Sequence, residues 1–405
     1  MSGGAGPTGH QRPQLHGTSG LRLLEGITVV SFEQYISGPY CTSILADAGA
    51  EVIKVERPNR GDPRRHYDPK LGHSESYVSG GFASYNRGKK SVCLDLSSRA
   101  SAESLAQLLS NSDVLVSNLR PGVLDGAGWT RDRLQMEFPN LVICEISGFG
   151  VSGGPYSNWP AFDSVIQAMS GLMSLIGDDP GGPPQHAPMG SLDILSGTWA
   201  AMGILMALVE RARTGHASHV DAAMYDVGVG FIERPLTLYE FTGMVPTRGA
   251  DAFSPVGAFR AGDGKWVSIV IPTDEMWIRC CQALGDPALA ASLDLDTVLK
   301  RAARMQDLII PRLEQWAETL EAHAAASLLR EAGQPAGVVQ TVEDVRRCEQ
   351  LAYRGLFVEL DDPRTLREDG SSRRLPRLPL LFDGSGAKPG AIPDLGEHTD
   401  AILGH

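Results

Sequence analysis

A chain of 405 residues exceeds what a single hydrophobic core usually serves, so two domains are expected. With 42% apolar and 21% charged residues it has the composition of a globular protein, and a net charge of −12 argues against non-specific nucleic-acid binding. An anionic ligand would have to find its cations gathered locally.

In chain order, the first twenty residues are rich in Gly, Pro, Ser and His and read as a disordered tail, not a signal peptide. Residues 26–32 are a β-branched run and predict a strand. Residues 39–48 carry helix formers closed by Gly49, and 51–56 predict a second strand. That is a βαβ unit, which implies a parallel sheet. Further strands are expected at 91–96, 113–117 and 141–146, with helices at 101–110 and 130–137 between them. A long helix is expected over 193–213. Its apolar stretch contains Ser196, Gly197 and Thr198, falls short of the roughly 20 apolar residues of a membrane span, and reads as a buried helix.

Beyond it, 253–271 predicts a hairpin turning at 262–265, mixed helices follow, and short strands return at 337–340 and 356–360. The expected division is the tail (1–20), a large domain from 21–225 and 333–405, and a small domain, 226–332, inserted between its halves. The expected fold class is α/β: a large doubly wound, Rossmann-like domain with a smaller α+β domain.

Six cysteines without a C-x-x-C, three of them (Cys41, Cys93, Cys144) in apolar stretches, fit reduced thiols in a cytoplasmic protein. His216 and His219 form an H-x-x-H with no third ligand nearby, so no metal site is expected. The cations are unevenly spread. No Lys or Arg lies between Arg133 and Arg211, although seven acidic residues do. Before it come Arg57, Arg60, Arg64, Arg65, Arg87, Lys89, Lys90 and Arg120. An anionic cofactor tail is therefore expected on the earlier segment, and the cation-free one should face the reacting group or the core.

Five short motifs stand in order: residues 45–58 (LADAGAEVIKVERP), Gly61-Asp62-Pro63, 86–96 (NRGKKSVCLDL), 117–122 (SNLRPG) and 146–150 (ISGFG). In this order and spacing they resemble the class III coenzyme A transferases, a family that also contains the alpha-methylacyl-CoA racemases. The resemblance covers the chain from about Leu23 to about His398. It implies coenzyme A as a substrate with no tightly bound cofactor, an acyl-CoA and a carboxylic acid as reactants, and an interlocked homodimer with no nucleic-acid or membrane partner.

The loop after the first strand, Gln34, Tyr35, Ile36 and Ser37, has no G-x-G-x-x-G, which argues against an ordinary dinucleotide fingerprint. The resemblance makes this loop a coenzyme A contact, together with Arg57, Lys89, Asn118, Leu119 and Arg120. Asp163 and Asp193 each precede a helical segment, where an aspartate commonly serves as N-cap. The resemblance gives Asp193 another role. It matches, in Gly190-x-x-Asp193-x-x-x-Gly197, the nucleophilic aspartate of the family, and Asp163 matches a supporting acid nearer the thioester. A helix N-terminus is expected to keep Asp193 ionised, as a nucleophile requires.

Gly38 and the 254–257 segment are candidate oxyanion donors. The racemase branch carries a histidine where this chain has Phe162, which cannot shuttle a proton, so the residues favour a transferase. A racemase-like enzyme, a silent coenzyme A-binding protein and a nucleotide-dependent oxidoreductase are the alternatives.

Overall fold

The structure is a computed structural model that describes residues 20–404 apart from 74, 75, 97, 99, 100, 180, 250–253 and 389. The expected tail therefore lies almost wholly outside the described residues.

Six parallel strands form the main sheet: β1 (Thr28–Phe32), β2 (Glu51–Glu56), β3 (Lys90–Cys93), β4 (Val114–Ser117), β5 (Val142–Ser147) and β6 (His219–Ala223). Their spatial order is β3-β2-β1-β4-β5-β6. β1 is central, with Val29 registered on Val52 of β2 and on Val114 of β4. Winding out from β1 in both directions is the strand order of doubly wound nucleotide-binding sheets. Both faces are covered. Val30, Phe32, Ile53, Val55, Leu115 and Ile143 pack with Leu105, Leu108 and Leu134 from the helices Ser101–Ser110 and Arg131–Glu137. The opposite face meets α1 (Ser37–Asp47), which also packs along a long helix, α2 (Ser191–Thr214). Strands buried on both faces explain the unbroken Val/Ile runs of the sequence.

Two compact units separate by their internal contacts. One holds the described residues up to Ser170, Ala187–Phe231 and those from Glu349 onward; the other holds Gly171–His186 and Ile232–Cys348. The second unit extends past the expected boundary at 332 because the strand Ala336–Val338 pairs antiparallel with Trp266–Val270, itself hairpinned to Val256–Arg260. Trp277, Phe259, Ile269, Leu313 and Leu329 form its core.

Helix α2 departs from expectation. It was expected to be buried, and only one of its faces is. Ala200, Ala201, Ile204 and Ala207 are enclosed, while Trp199 is 56%, Met206 62% and Val209 60% exposed. By length and composition alone this helix passes for a membrane span, yet the buried side of its most apolar stretch is packed into the protein.

Candidate active site

The winding reverses between β1 and β4, which stay paired to Phe32 and Ser117, and open α/β sheets bind ligands beyond the carboxyl ends of the strands at such a point. Two cavities open there. One of about 420 Å³ is lined by Gln34, Arg57, Asp62, Leu96 and Leu119. The other, of about 510 Å³, is lined by Tyr35, Ile36, Ser37, Arg64, Asn118, Leu119, Arg120, Asp163 and Asp193. Ten of the eleven residues picked from the sequence thus line one cavity or both.

Lys89 is the exception. Its ammonium is fully buried, donating to Glu33 Oε1 at 2.7 Å, Pro39 O at 2.9 Å and Asn86 Oδ1 at 3.1 Å. It lines neither cavity and has no donor to spare for a phosphate. Its place is in a buried polar core under the loop. Lys54 donates there to Asp62 at 2.9 Å and to the Glu33 carbonyl at 2.9 Å. Thr42 donates to Glu33, and Arg65 pairs with Glu56 at 2.7 Å. Burial alone would raise the Glu33 carboxyl, but Lys89 and Lys54 outweigh it and hold it below the usual carboxylate range. Glu56 is likewise driven down to about 2 against its burial, chiefly by the hydrogen bonds of Arg65.

This core fixes the 34–37 loop. Asp62 Oδ1 accepts the Tyr35 N–H at 3.2 Å, and Tyr35 takes a left-handed backbone conformation (φ 66°), a strained one for a non-glycine residue. Asn118 clamps the loop from the other side. Its Oδ1 accepts from Gln34 N and its Nδ2 donates to Gln34 O, both at 2.8 Å. The Asn118 side chain is therefore engaged in shaping the loop. Gly38 is a packing position: a Cβ there would stand 2.8 Å from Asn118 Cγ.

The two aspartates divide the work differently from the expectation. Asp163, 3% exposed, does cap a helix, but not its own. Its carboxylate accepts from the backbone N–H groups of Gly190 (3.0 Å), Leu192 (2.8 Å) and Asp193 (3.3 Å), and from Gln167 Nε2 (2.7 Å). Gln167 is held in turn by the Ala187 N–H. The free N–H groups at the start of α2 are thus consumed by Asp163.

Asp193 sits in the first turn of the same helix, and its carboxylate meets no hydrogen-bond donor or ion-pair partner among the described residues. The helix terminus does not keep it ionised as expected. Burial, then the nearby Asp163, push its pKa up to about 7, with Arg64 pulling the other way.

The glycines around Asp193 have identifiable roles. Gly190 enters α2 at φ 88°, and Gly197 lets α2 lie on α1: a Cβ there would be 2.5 Å from Ser37 O.

The cations sort by commitment. Arg87 donates to Ser84 O and Pro376 O, and Lys90 pairs with Glu51. Arg57 and Arg120 line the cavities with exposed side chains and no ion pair among the described residues. Arg64, not picked from the sequence as a site residue, also lines the cavity of Asp193. The signal for it was present: it directly follows Gly61-Asp62-Pro63, where Asp62 accepts the Arg64 N–H at 2.9 Å. Of the H-x-x-H pair, His219 meets the Glu145 carboxylate at 2.9 Å.

The family model CoA-transferase family III matches residues 24–399. The chain belongs to the class III CoA-transferase family. It is 34% identical to succinyl-CoA:mesaconate CoA-transferase of Haloarcula hispanica, over 94% of this chain and 95% of that one. It is 32% identical to acetyl-CoA:oxalate CoA-transferase of Acetobacter aceti, over 83% and 85%. A crystal structure of a CaiB/BaiF family protein from Brucella suis superposes with a TM-score of 0.81 at 29% identity, covering 95% of this chain and 99% of that one. This class III member is accordingly an enzyme that moves coenzyme A between an acyl-CoA and a carboxylic acid.

Proposed function

We propose that Asp193 is the nucleophile of this CoA-transferase. The observation that carries the reading is its carboxylate: in the first turn of α2, facing the cavity, without a partner, and poised near pH 7. Attack by the Asp193 carboxylate on the acyl carbonyl of R–CO–S–CoA forms a mixed anhydride and expels coenzyme A thiolate. The thiolate adds to the aspartyl carbonyl, giving aspartyl-CoA and releasing R–COO⁻. An incoming R′–COO⁻ reopens the aspartyl thioester as a second anhydride. Thiolate attack at the R′ carbonyl then yields R′–CO–S–CoA and restores Asp193. Every step is an acyl exchange with no net proton or redox change, and one difficult transfer is divided into easier ones.

In this reading the coenzyme spans both cavities, with the unpaired guanidiniums of Arg57 and Arg120 meeting its phosphates. Asp163 acts by holding the start of α2 in place. Phe162, 56% exposed beside Asp163, has no ionisable group, which weighs against racemisation. The acids named for the mesaconate and oxalate relatives are dicarboxylic, so diacids belong among the first substrates to test.

The open apolar face of α2, with Trp199, Met202, Leu205, Met206 and Val209, supports a dimer, and the family resemblance makes it the interlocked kind. A protein that remains monomeric at micromolar concentration while fully active would refute the dimer. The nucleophile is tested by incubating the enzyme with acyl-CoA donors, adding hydroxylamine and mapping the peptide by mass spectrometry. A hydroxamate on Asp193, absent with free coenzyme A, is expected; donors that turn over without labelling Asp193 would exclude the mechanism.

A further inference from the structure

Arg64 presents a guanidinium that the protein orients and leaves unpaired. Its Nε is buried and has no hydrogen-bond partner, and no carboxylate among the described residues forms an ion pair with it. Its Cζ lies 5.7 Å from the ring centroid of Tyr67 and 5.6 Å from that of Tyr85. Gly81 packs so close that a Cβ there would be 3.0 Å from a terminal guanidinium nitrogen. Aromatic packing fixes the direction of a guanidinium while leaving its donor edges open.

The neighbouring Arg65 shows the alternative. It spends two nitrogens on Glu56 and a third on Pro393 O. Arg57 and Arg120 are exposed, whereas Arg64 is half-buried and shares its cavity with Asp193. The terminal nitrogens of Arg64 are not enclosed and likewise have no acceptor among the described residues, so a ligand in the cavity can supply one. A carboxylate matches a guanidinium edge in two parallel hydrogen bonds.

We propose that Arg64 receives the distal carboxylate of a dicarboxylic acid substrate, so that the enzyme exchanges coenzyme A between short diacids in preference to monoacids. This rests on the reading of Asp193 as nucleophile: the reacting carbonyl lies at Asp193 while the far carboxylate is held by Arg64. No Lys or Arg lies between Arg133 and Arg211, and Arg120 in the same cavity is assigned above to the coenzyme phosphates, which leaves Arg64, from the segment following β2, for that task.

The test measures kcat/KM for acceptors of equal length, glutarate against valerate and succinate against butyrate, with one fixed acyl-CoA donor. The donor half-reaction then cancels in each ratio. The wild-type enzyme is expected to favour the diacid by ~100-fold or more, and Arg64→Gln to reduce that ratio by ~100-fold, since a site built for a charged group rejects the analogue lacking it. Arg64→Lys, which keeps the charge but not the planar fork, should retain part of the preference and serves if the glutamine variant does not fold. A wild-type ratio near one overturns the proposal, as does an equal loss for both acids in Arg64→Gln; both leave Asp193 as nucleophile. Failure to trap any Asp193 hydroxamate in the wild type removes the underlying reading and the proposal with it.

Discussion

Two groups of charge lie within this α/β unit, one buried and one half-buried, and they are built on opposite terms. Under the 34–37 loop, Glu33, Lys54, Asp62 and Lys89 pair with one another and with backbone carbonyls. At the start of α2, Asp193 and Arg64 share a cavity without forming an ion pair, and neither side chain makes a hydrogen bond or ion pair among the described residues. Both arrangements cost desolvation. The first recovers it internally and becomes scaffold. The second leaves it to be recovered by a ligand, which is what a site for chemistry requires. A charged residue in a family motif is therefore ambiguous until its partners are known: Lys89 and Arg64 look alike in sequence and differ entirely in commitment.

The contrast can be broken most sharply at Asp193. Replacing it by Asn should reduce acyl transfer by about 10⁴-fold or more while leaving the fold intact, as for a group that forms the covalent intermediate. Steady-state transfer with circular dichroism alongside checks both halves. At the scaffold the loss should appear in stability instead. Lys89→Met removes the nearest cation of the buried Glu33, leaving Lys54 and Thr42, and should cost about 3 kcal/mol in urea unfolding. If it weakened only coenzyme A affinity, Lys89 would have to be returned to the binding site.

Asp163→Ala lies between the two. It removes the acceptor of three backbone N–H groups and an amide, worth about 2–3 kcal/mol, and it also removes the negative neighbour of Asp193. The acidic limb of the pH–rate profile should consequently move to lower pH. In the wild type that limb should lie near 7, with kcat/KM falling tenfold per unit below it, because only ionised Asp193 attacks.

Stability runs the other way. A carboxyl whose pKa is higher folded than unfolded favours the fold only while protonated, so its ionisation becomes a penalty as pH rises from about 4 through 7. Asp193→Asn should thus stabilise the protein by about 1–3 kcal/mol at pH 8 and leave it unchanged near pH 4, in melts across pH. The smallest effect concerns packing: Gly197→Ala meets Ser37 O and should cost about 1–2 kcal/mol.

Much of the fold was legible because periodic burial writes it into the chain. The second strand is Glu51–Glu56 as expected, and the helix Ser101–Ser110 falls on its expected residues. The face of α2 was not legible. A helix apolar on both sides reads as buried, and the surface that would cover its second side is not part of one chain's periodicity. Motifs did mark positions that set the backbone around the cavity, as at Asn118 and Gly190. Asp193's raised pKa was not legible, since it depends first on burial and then on Asp163, thirty positions away in the chain. Arg64 was named among the cations but not singled out, because a surface charge and an unpaired guanidinium packed on two aromatic rings share one letter.

The glycine crossing of α1 and α2 has a mechanical consequence. Ser37 O, at the end of the loop that shapes the cavity, rests on α2 one turn below Asp193 with no side chain between the two backbones. Loop and nucleophile are thereby gauged against each other by main-chain thickness alone. A thicker residue at Gly197 should, besides its packing cost, shift the alignment between attacking oxygen and bound carbonyl, making this crossing a place where catalytic registration can be adjusted without altering any residue that touches the substrate.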